Sequence, residues 1–158
     1  RPSDISRQWL TMPEVAPPDD CEPADHWRGG GDDLHSRIEV RVAKGSYGGT
    51  EVSDGGEDGR LLLWIRPRDG VAIDAGMLAI MADFIPGAVG NALGLNAGGN
   101  SLDNTIRYRR IVGTEWVLCD IRITGVHGGF GHGAMYLFAQ EGELMATASQ
   151  SLIVRVRD

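Results

Sequence analysis

The chain has 158 residues, of which 42% are hydrophobic, so it can form one well-packed core. Its formal net charge of -7 excludes a surface that follows a nucleic-acid backbone, because such a surface needs clustered lysine and arginine. The two cysteines, Cys21 and Cys119, fit no zinc or redox spacing, and no apolar run reaches about 18 residues, so we expect no metal, no membrane partner and a cytoplasmic location.

Residues 1 to about 35 have the composition of a linker. They include five of the seven prolines and several acidic residues, and they show little periodicity. The chain begins with Arg1 rather than Met, which suggests that N-terminal sequence has been removed. We therefore predict a connector over residues 1–35 and one folded domain over residues 36–158.

The first part of this domain alternates between strand and helix patterns. Ile38, Val40 and Val42 alternate with charged residues, which predicts a half-buried strand. A glycine-rich loop then leads to residues 60–66, whose β-branched and aromatic content favours a second strand. Residues 74–94 instead have apolar side chains at helical spacing on two adjacent faces, so we predict a helix that is buried almost all round.

Pro86 lies inside this predicted helix and should kink it or end its regular part, because proline lacks a backbone donor and clashes with the preceding turn. Four further strands are predicted over residues 101–110, 115–125, 132–140 and 144–157, with the tightest turn at Glu141-Gly142. The order of elements indicates an α+β fold in which a curved antiparallel sheet wraps one long helix. The hotdog fold has this order.

Two polar residues occur where the apolar pattern predicts buried side chains. Asp83 is the only charged residue between Ala75 and Val89, and a carboxylate in such a place is typical of a general base or a water-orienting group. Gln150 falls in the phase of the apolar residues of the last strand, where an amide could hold a water or a carbonyl oxygen. A solvent-facing Asp at the kink and a core Gln bonded to backbone are the alternatives, and both stay open.

Ser101 and Asp103 lie at the entrance to the third predicted strand, a position that usually holds turn or capping residues. Ser101 lacks the residue order and the nucleophile elbow of a serine esterase, so a hydroxyl that positions water is the better hypothesis.

The glycine-rich stretch over residues 125–133, with His127 and His132, superficially suggests a nucleotide or metal site. It opens no helix, and two histidines without a third ligand rarely bind a metal. We interpret the stretch as a strand bend or bulge with close backbone packing, and we expect no cofactor.

Three blocks of sequence resemble the type II (TesB-like) acyl-CoA thioesterases, across roughly residues 61–155. The first block, residues 81–86, is similar to the helix segment that contains the family's catalytic Asp. The second, residues 100–109, has Ser101 and Asp103 where the family has Thr or Ser, an apolar residue and then Asp. The third runs from Glu115 to Ser151 and includes, near its end, the position of the family's catalytic Gln.

The resemblance implies the C-terminal hotdog half of a double hotdog that hydrolyses acyl-CoA to a free fatty acid and CoA. It implies that Asp83, Ser101 and Gln150 are the catalytic residues, with Asp83 taking a proton from water that the other two hold.

The implied partners are the acyl-CoA substrate and a second hotdog unit. That unit is either a missing N-terminal half or another copy in a homo-oligomer. Because the chain is acidic, local residues must bind the CoA phosphates, and the candidates are Arg107, Arg109 and Arg110, for which a solvated strand face is the alternative.

Two other functions remain open. A hotdog hydratase or dehydratase needs a histidine and an acid at its site, and we expect none of the four histidines to lie near the helix or in phase with Gln150. A non-catalytic acyl-CoA-binding or structural half has no reason to keep three costly polar residues.

Overall fold

The structure is a computed structural model that describes residues 3–24, 32–52 and 58–157. The strands, in chain order, are β1 (Glu22–Pro23), β2 (Ile38–Lys44), β3 (Ser46–Tyr47), β4 (Thr50–Glu51), β5 (Arg60–Pro67), β6 (Ala97–Ser101), β7 (Thr105–Tyr108), β8 (Val117–His127), β9 (Phe130–Ala139) and β10 (Leu144–Val156). The helical region between β5 and β6 consists of α1 (Ala75–Ala82), a 3₁₀ turn (Ile85–Ala88) and α2 (Val89–Leu93). Two further 3₁₀ turns cover Pro18–Asp20 and His35–Arg37.

One antiparallel sheet organises the domain, in the order β1-β2-β5-β8-β9-β10-β6, and β7 pairs with β10 next to β6. The β3–β4 hairpin forms a separate small sheet within the predicted glycine-rich loop, of which residues 53–57 lie outside the described residues. The inward side chains of the sheet pack against the helical region and form the main core. A strongly curled antiparallel sheet around one helical region is the predicted α+β architecture.

The helical region is interrupted at the predicted place. Asp74 caps α1, since its Oδ1 accepts a hydrogen bond from the Met77 amide at 2.9 Å. Regular α-helix ends at Ala82, and Pro86 lies in the first turn of the 3₁₀ segment, so the predicted kink is confirmed. By length and composition alone the 19 residues from Ala75 to Leu93, with mean hydropathy 1.4, would suffice to cross a membrane, but here they are the core helix of the domain.

The prediction that this helix is buried almost all round is wrong. Leu78, Met81 and Ala82 are buried against the sheet, whereas Met77 and Ile80 are only half-buried. The described part of the chain covers one face of α1 and leaves the other at the surface, which a sequence pattern cannot show.

The third predicted strand, over residues 101–110, is in fact two short strands. The chain leaves the sheet between β6 and β7, opposite Ser151 of β10. There the Leu102 amide donates to the Ser151 carbonyl at 2.9 Å, and Asp103 Oδ1 accepts from the Ser151 amide at 2.8 Å. The Asp103 carboxylate thus takes the place of a backbone carbonyl as the acceptor for the Ser151 amide. The strand break contains no proline or glycine that would have indicated it in the sequence.

The glycine-rich stretch over residues 125–133 is the tip of the β8–β9 hairpin. Gly128 and Gly129 form its two-residue turn with φ of 59° and 82°, which other residues adopt only with strain. The tightest turn was predicted at Glu141-Gly142, but the loop there has four residues between β9 and β10, so the turn at Gly128 and Gly129 is the tighter one. The predicted bulge is confirmed where the register shifts between Ile123 and Gly125.

The N-terminal segment, residues 3–24, covers the outer face of the sheet. The Trp64 Nε1 donates to the Ala16 carbonyl at 2.9 Å, and Leu144 donates its amide hydrogen to Gln8 Oε1 at 2.8 Å. A second apolar cluster lies beneath this segment and includes Trp64, Leu118 and Phe138. The connector assignment for residues 1–35 stays a prediction, and its described part has fixed contacts with the domain.

Candidate active site

The two polar residues that broke the apolar pattern, Asp83 and Gln150, are in contact. Gln150 Nε2 donates a hydrogen bond to Asp83 Oδ1 at 2.8 Å. Gln150 is 3% exposed, whereas Asp83 is exposed. The pair therefore joins a buried amide of β10 to a carboxylate at the surface of a cleft.

The kink positions Asp83. The residue is the C-cap of α1, and the 3₁₀ turn that follows packs directly on the sheet. A Cβ at Gly133, which is paired with Gln150 in the β9–β10 ladder, would lie 2.5 Å from Ile85 Cγ2. Because Gly133 lacks this atom, Ile85 can approach the strand backbone and hold the end of α1 within reach of Gln150.

Asp83 is not buried, so the expectation of a buried, unpaired carboxylate is wrong. The kink turns the residue out of the core towards solvent, as the open alternative proposed, and it also pairs with a polar group.

Gln150 has one hydrogen-bonding atom without a partner. Its Oε1 is buried, and no donor within the described residues reaches it. The amide orientation follows from chemistry, since a carboxylate accepts from an N–H and repels a carbonyl oxygen. An unsatisfied buried acceptor costs free energy, and such groups are uncommon outside functional sites. A bound molecule with an O–H or N–H would satisfy it.

Ser101 lies beside this pair without bonding to it. Its position is the last residue of β6, opposite Leu152, two residues along β10 from Gln150. Cross-strand partners point to the same face, and diagonal neighbours of this kind are typically ~7–8 Å apart. The Ser101 hydroxyl donates to the Asp103 carbonyl at 2.8 Å. The structure thus joins two of the three predicted catalytic residues and places the third nearby.

The three predicted CoA-binding arginines lie away from the pair. Arg109 forms an ion pair with Glu143, and Arg110 approaches the same carboxylate at 3.8 Å. Glu143 precedes β10 and is seven residues from Gln150 in the sequence. Arg107 lies on β7, where it is exposed and pairs with Thr147 of β10. Arg109 also donates to the carbonyls of residues 144 and 7, which connects it to the N-terminal segment. A role for these arginines in binding CoA stays a prediction.

Asp83 lines a cleft of about 690 Å³. Its other lining residues are Leu34, His35, Ile38, Tyr47, Ala79, Ile80, Phe84, Pro86, Gly87, Gly98, Gly99, Asn104 and Arg157. His35 corrects an expectation, because no histidine was predicted near the helix. It precedes β2, which curls towards the helix, and sequence distance concealed this proximity. His26 lies outside the described residues.

Sequence reasoning missed a second polar cluster, around Asp120 on the outer face of the sheet. Asp120 is 1% exposed, and its carboxylate accepts hydrogen bonds from Arg60 Nε at 2.8 Å and Arg122 Nη2 at 2.9 Å. Burial alone would raise the pKa of Asp120, but the hydrogen bonds from both arginines hold it below its ordinary value. No set of three or more potential metal ligands occurs in the described ranges.

Comparison with known proteins places this chain among thioesterases. Residues 18–154 match the family model of the acyl-CoA thioesterase C-terminal domain. A solved structure assigned as a thioesterase, from Novosphingobium aromaticivorans DSM 12444, is 39% identical with a TM-score of 0.80, over 100% of this chain and 58% of that chain. No curated protein sequence matches.

Two more distant structures agree in fold. A conserved protein of unknown function with a hot dog fold, from Alicyclobacillus acidocaldarius, is 21% identical with a TM-score of 0.79. Acyl-CoA thioesterase II TesB2 from Mycobacterium marinum is 23% identical with a TM-score of 0.62. Both matches cover 100% of this chain and 60% of the other. The predicted hotdog fold is confirmed, and the chain spans about three-fifths of the length of these solved chains.

Proposed function

This chain belongs to the acyl-CoA thioesterase C-terminal domain family, and on that basis we propose that it hydrolyses acyl-CoA thioesters to a free fatty acid and CoA. The observation that carries the proposal is the Gln150–Asp83 hydrogen bond beside a cleft, with the buried Gln150 Oε1 left unpaired. The pair offers a carboxylate that can take a proton and an amide oxygen that can accept one more hydrogen bond. In the proposed complex one water molecule donates to both, which requires Gln150 Oε1, buried in this structure, to reach the cleft.

In the proposed reaction Asp83 removes a proton from this water as the water oxygen bonds to the thioester carbonyl carbon. Gln150 orients the Asp83 carboxylate through Nε2 and holds the second water hydrogen through Oε1. The hydroxyl of Ser101 completes the surroundings of the water when it leaves the Asp103 carbonyl. The tetrahedral intermediate then breaks its C–S bond, and the proton on Asp83 passes to the departing CoA thiolate.

The apolar side of the cleft is the proposed place of the acyl chain. Leu34, Ile38, Ala79 and Ile80 line it, and three of these four side chains are partly exposed in the domain as described. A fatty acyl chain would remove this apolar surface from water at a gain of about 25 cal/mol per Å². The proposed substrates are therefore fatty acyl-CoA esters rather than small polar ones.

A second hotdog unit is the proposed partner. The exposed face of α1 is apolar, and no described element covers it. The solved relatives have a further two-fifths of chain that this one does not match. We expect sedimentation of the purified protein to show a species with at least two hotdog units, and a stable single unit would contradict this partner.

The test of the activity is release of free thiol from a series of acyl-CoA esters of increasing chain length. We expect turnover with long acyl chains that declines as the chain shortens, because less apolar surface is buried. Acyl-CoA that remains intact at every chain length would contradict the proposal.

His35 favours a second candidate, a hydratase or dehydratase acting on enoyl or hydroxyacyl thioesters, since it lines the same cleft as Asp83. The two activities separate in one experiment with an enoyl-CoA. Hydrolysis releases thiol, whereas hydration removes the conjugated double bond without releasing thiol. We expect thiol release, and His35→Asn should retain it.

A further inference from the structure

The cleft that contains Asp83 continues into a second cavity. The second cavity, of about 620 Å³, is lined by the β3–β4 hairpin, the end of α2 and the start of β6. Tyr47, Gly87, Gly98 and Arg157 line both cavities. Together they form one groove that starts at Asp83 and passes Arg157.

Arg157 is the one lysine or arginine among the described residues that line either cavity. Its guanidinium forms no ion pair or hydrogen bond within the described part of the chain, whereas Arg60, Arg66 and Arg109 all pair with carboxylates. Its backbone is fixed, because the Arg157 amide donates to the Asn96 carbonyl at 2.8 Å. An arginine whose guanidinium donors meet no acceptor among the described residues is suited to an anion, and most of all to a phosphate.

The distance from the reacting pair to Arg157 fits a long, flexible substrate arm. Gln150 lies on β10 and Arg157 directly follows this strand, seven residues further on, and an extended strand rises about 3.3 Å per residue, so their Cα atoms are at most roughly 23 Å apart. The Arg157 side chain points back over Gly98, where a Cβ would lie 3.7 Å from its Nη2. Gly98 pairs with Arg155, five residues along the strand from Gln150, so the guanidinium lies roughly 16 Å from the Gln150 backbone and an extended arm must join the anion to the thioester.

Between the Asp83–Gln150 pair and Arg157, the groove is lined by the backbone of β6. Gly98 and Gly99 lie on β6, which pairs only with β10 and so has backbone N–H and C=O groups outside the ladder on its other side. A pantetheine arm contains two amides, which can bond to such groups as an added strand does. A Cβ at Gly98 would meet Arg157 Nη2 at 3.7 Å, so this glycine keeps the space beside the guanidinium open, whereas Leu152 and Pro86 fill the space over Gly99 and leave its backbone edge for the arm.

We propose that Arg157 binds the phosphates of CoA and that the pantetheine arm lies along Gly98 and Gly99. This inference rests on the proposed function, whose substrate it specifies. The polar cavity takes the nucleotide end of CoA, and the apolar side of the first cleft takes the acyl chain. Glu51, on the hairpin side of the polar cavity, repels phosphate and confines it to the side of Arg157.

The test is calorimetric titration of the purified protein with CoA and with pantetheine, which lacks the phosphates. Arg157→Gln should weaken CoA binding by about ten-fold or more, as expected for a lost charge-assisted hydrogen bond, and should leave pantetheine binding unchanged. Arg68→Gln is the matched control, because Arg68 is exposed and lines neither cavity. It should change CoA binding by less than about three-fold.

Unchanged CoA affinity in Arg157→Gln would overturn the assignment, and so would equal loss of CoA and pantetheine or no binding of CoA by the parent protein. If the proposed hydrolysis fails, the result is different: the parent protein releases no thiol, and Arg157→Gln still loses CoA binding and keeps pantetheine binding. In that case Arg157 remains the phosphate site of a CoA-binding domain.

Discussion

Two acidic residues on opposite sides of the same sheet differ in how completely they are paired. On the outer face, Asp120 is buried and accepts four hydrogen bonds from two arginines, at 2.8 to 3.3 Å. On the helix side, Asp83 is exposed, its hydrogen-bond partner among the described residues is one amide, and that amide has an unpaired buried oxygen. A fully paired cluster stabilises the fold and has nothing left to bind. The under-paired cluster costs stability and keeps hydrogen-bonding capacity for a ligand.

The largest expected effect belongs to the under-paired cluster. Asp83→Asn should lower kcat by about 10² to 10⁴, the usual contribution of a general base, because an amide cannot take the proton. Its melting temperature should be kept or raised, since Asp83 is exposed. Thiol release and thermal unfolding measure the two effects. Asp69→Asn, at an exposed loop residue outside the cleft, is the matched control and should change neither.

The reverse pattern is expected for the fully paired cluster. Asp120→Asn leaves two arginine side chains without their carboxylate and should lower the free energy of unfolding by about 2–3 kcal/mol, less than for a fully buried pair because both arginines are part-exposed. Thiol release per folded molecule should stay at the parental rate. Urea unfolding checks the loss, and Asp58→Asn, which breaks an exposed pair with Lys44, should cost less than about 1 kcal/mol. Equal losses in the two variants would show that burial of Asp120 is not what matters.

A smaller effect on turnover is expected when the amide of Gln150 is replaced. Gln150→Met keeps the length of the side chain and removes the unpaired oxygen, so we expect the melting temperature to stay or rise while kcat falls by roughly ten-fold. A lower melting temperature with normal turnover would assign Gln150 to the core, which is the structural alternative that its strand phase left open.

The smallest expected effect is a loss of stability at acidic pH. The folded pKa of Asp120 lies below the ordinary 3.8, so the stability from its ion pairs is present above about pH 4 and disappears as the pH falls through the folded value. Urea unfolding at a series of acidic pH values should show this loss in the parent protein and not in Asp120→Asn. Parallel curves for the two proteins would contradict the pairing.

The sequence predicts the parts of the molecule that depend on periodicity. Strand alternation, the apolar helix and Pro86 determine the fold, and a polar residue in an apolar phase identifies both Asp83 and Gln150. The exposure of Asp83 could not be predicted, because it depends on what covers α1 after folding.

Asp120 escaped notice for a related reason. Its strand phase is that of an outward, solvated residue, and only the folded sheet brings Arg60 and Arg122 over it. Arg157 and His35 lie far along the chain from the helix, at the end of β10 and before β2, so their place in the cleft follows from the curl of the sheet and not from any local pattern.

A double-mutant cycle in kcat for thiol release, with Asp83→Asn, Gln150→Met and the double variant, tests whether the two residues work together. If Asp83 and Gln150 hold one water as a single unit, the double variant should be no slower than Asp83→Asn alone within about three-fold. Losses that multiply would show that the two residues act independently, and an Asp83→Asn variant that turns over at the parental rate would show that Asp83 is not the general base.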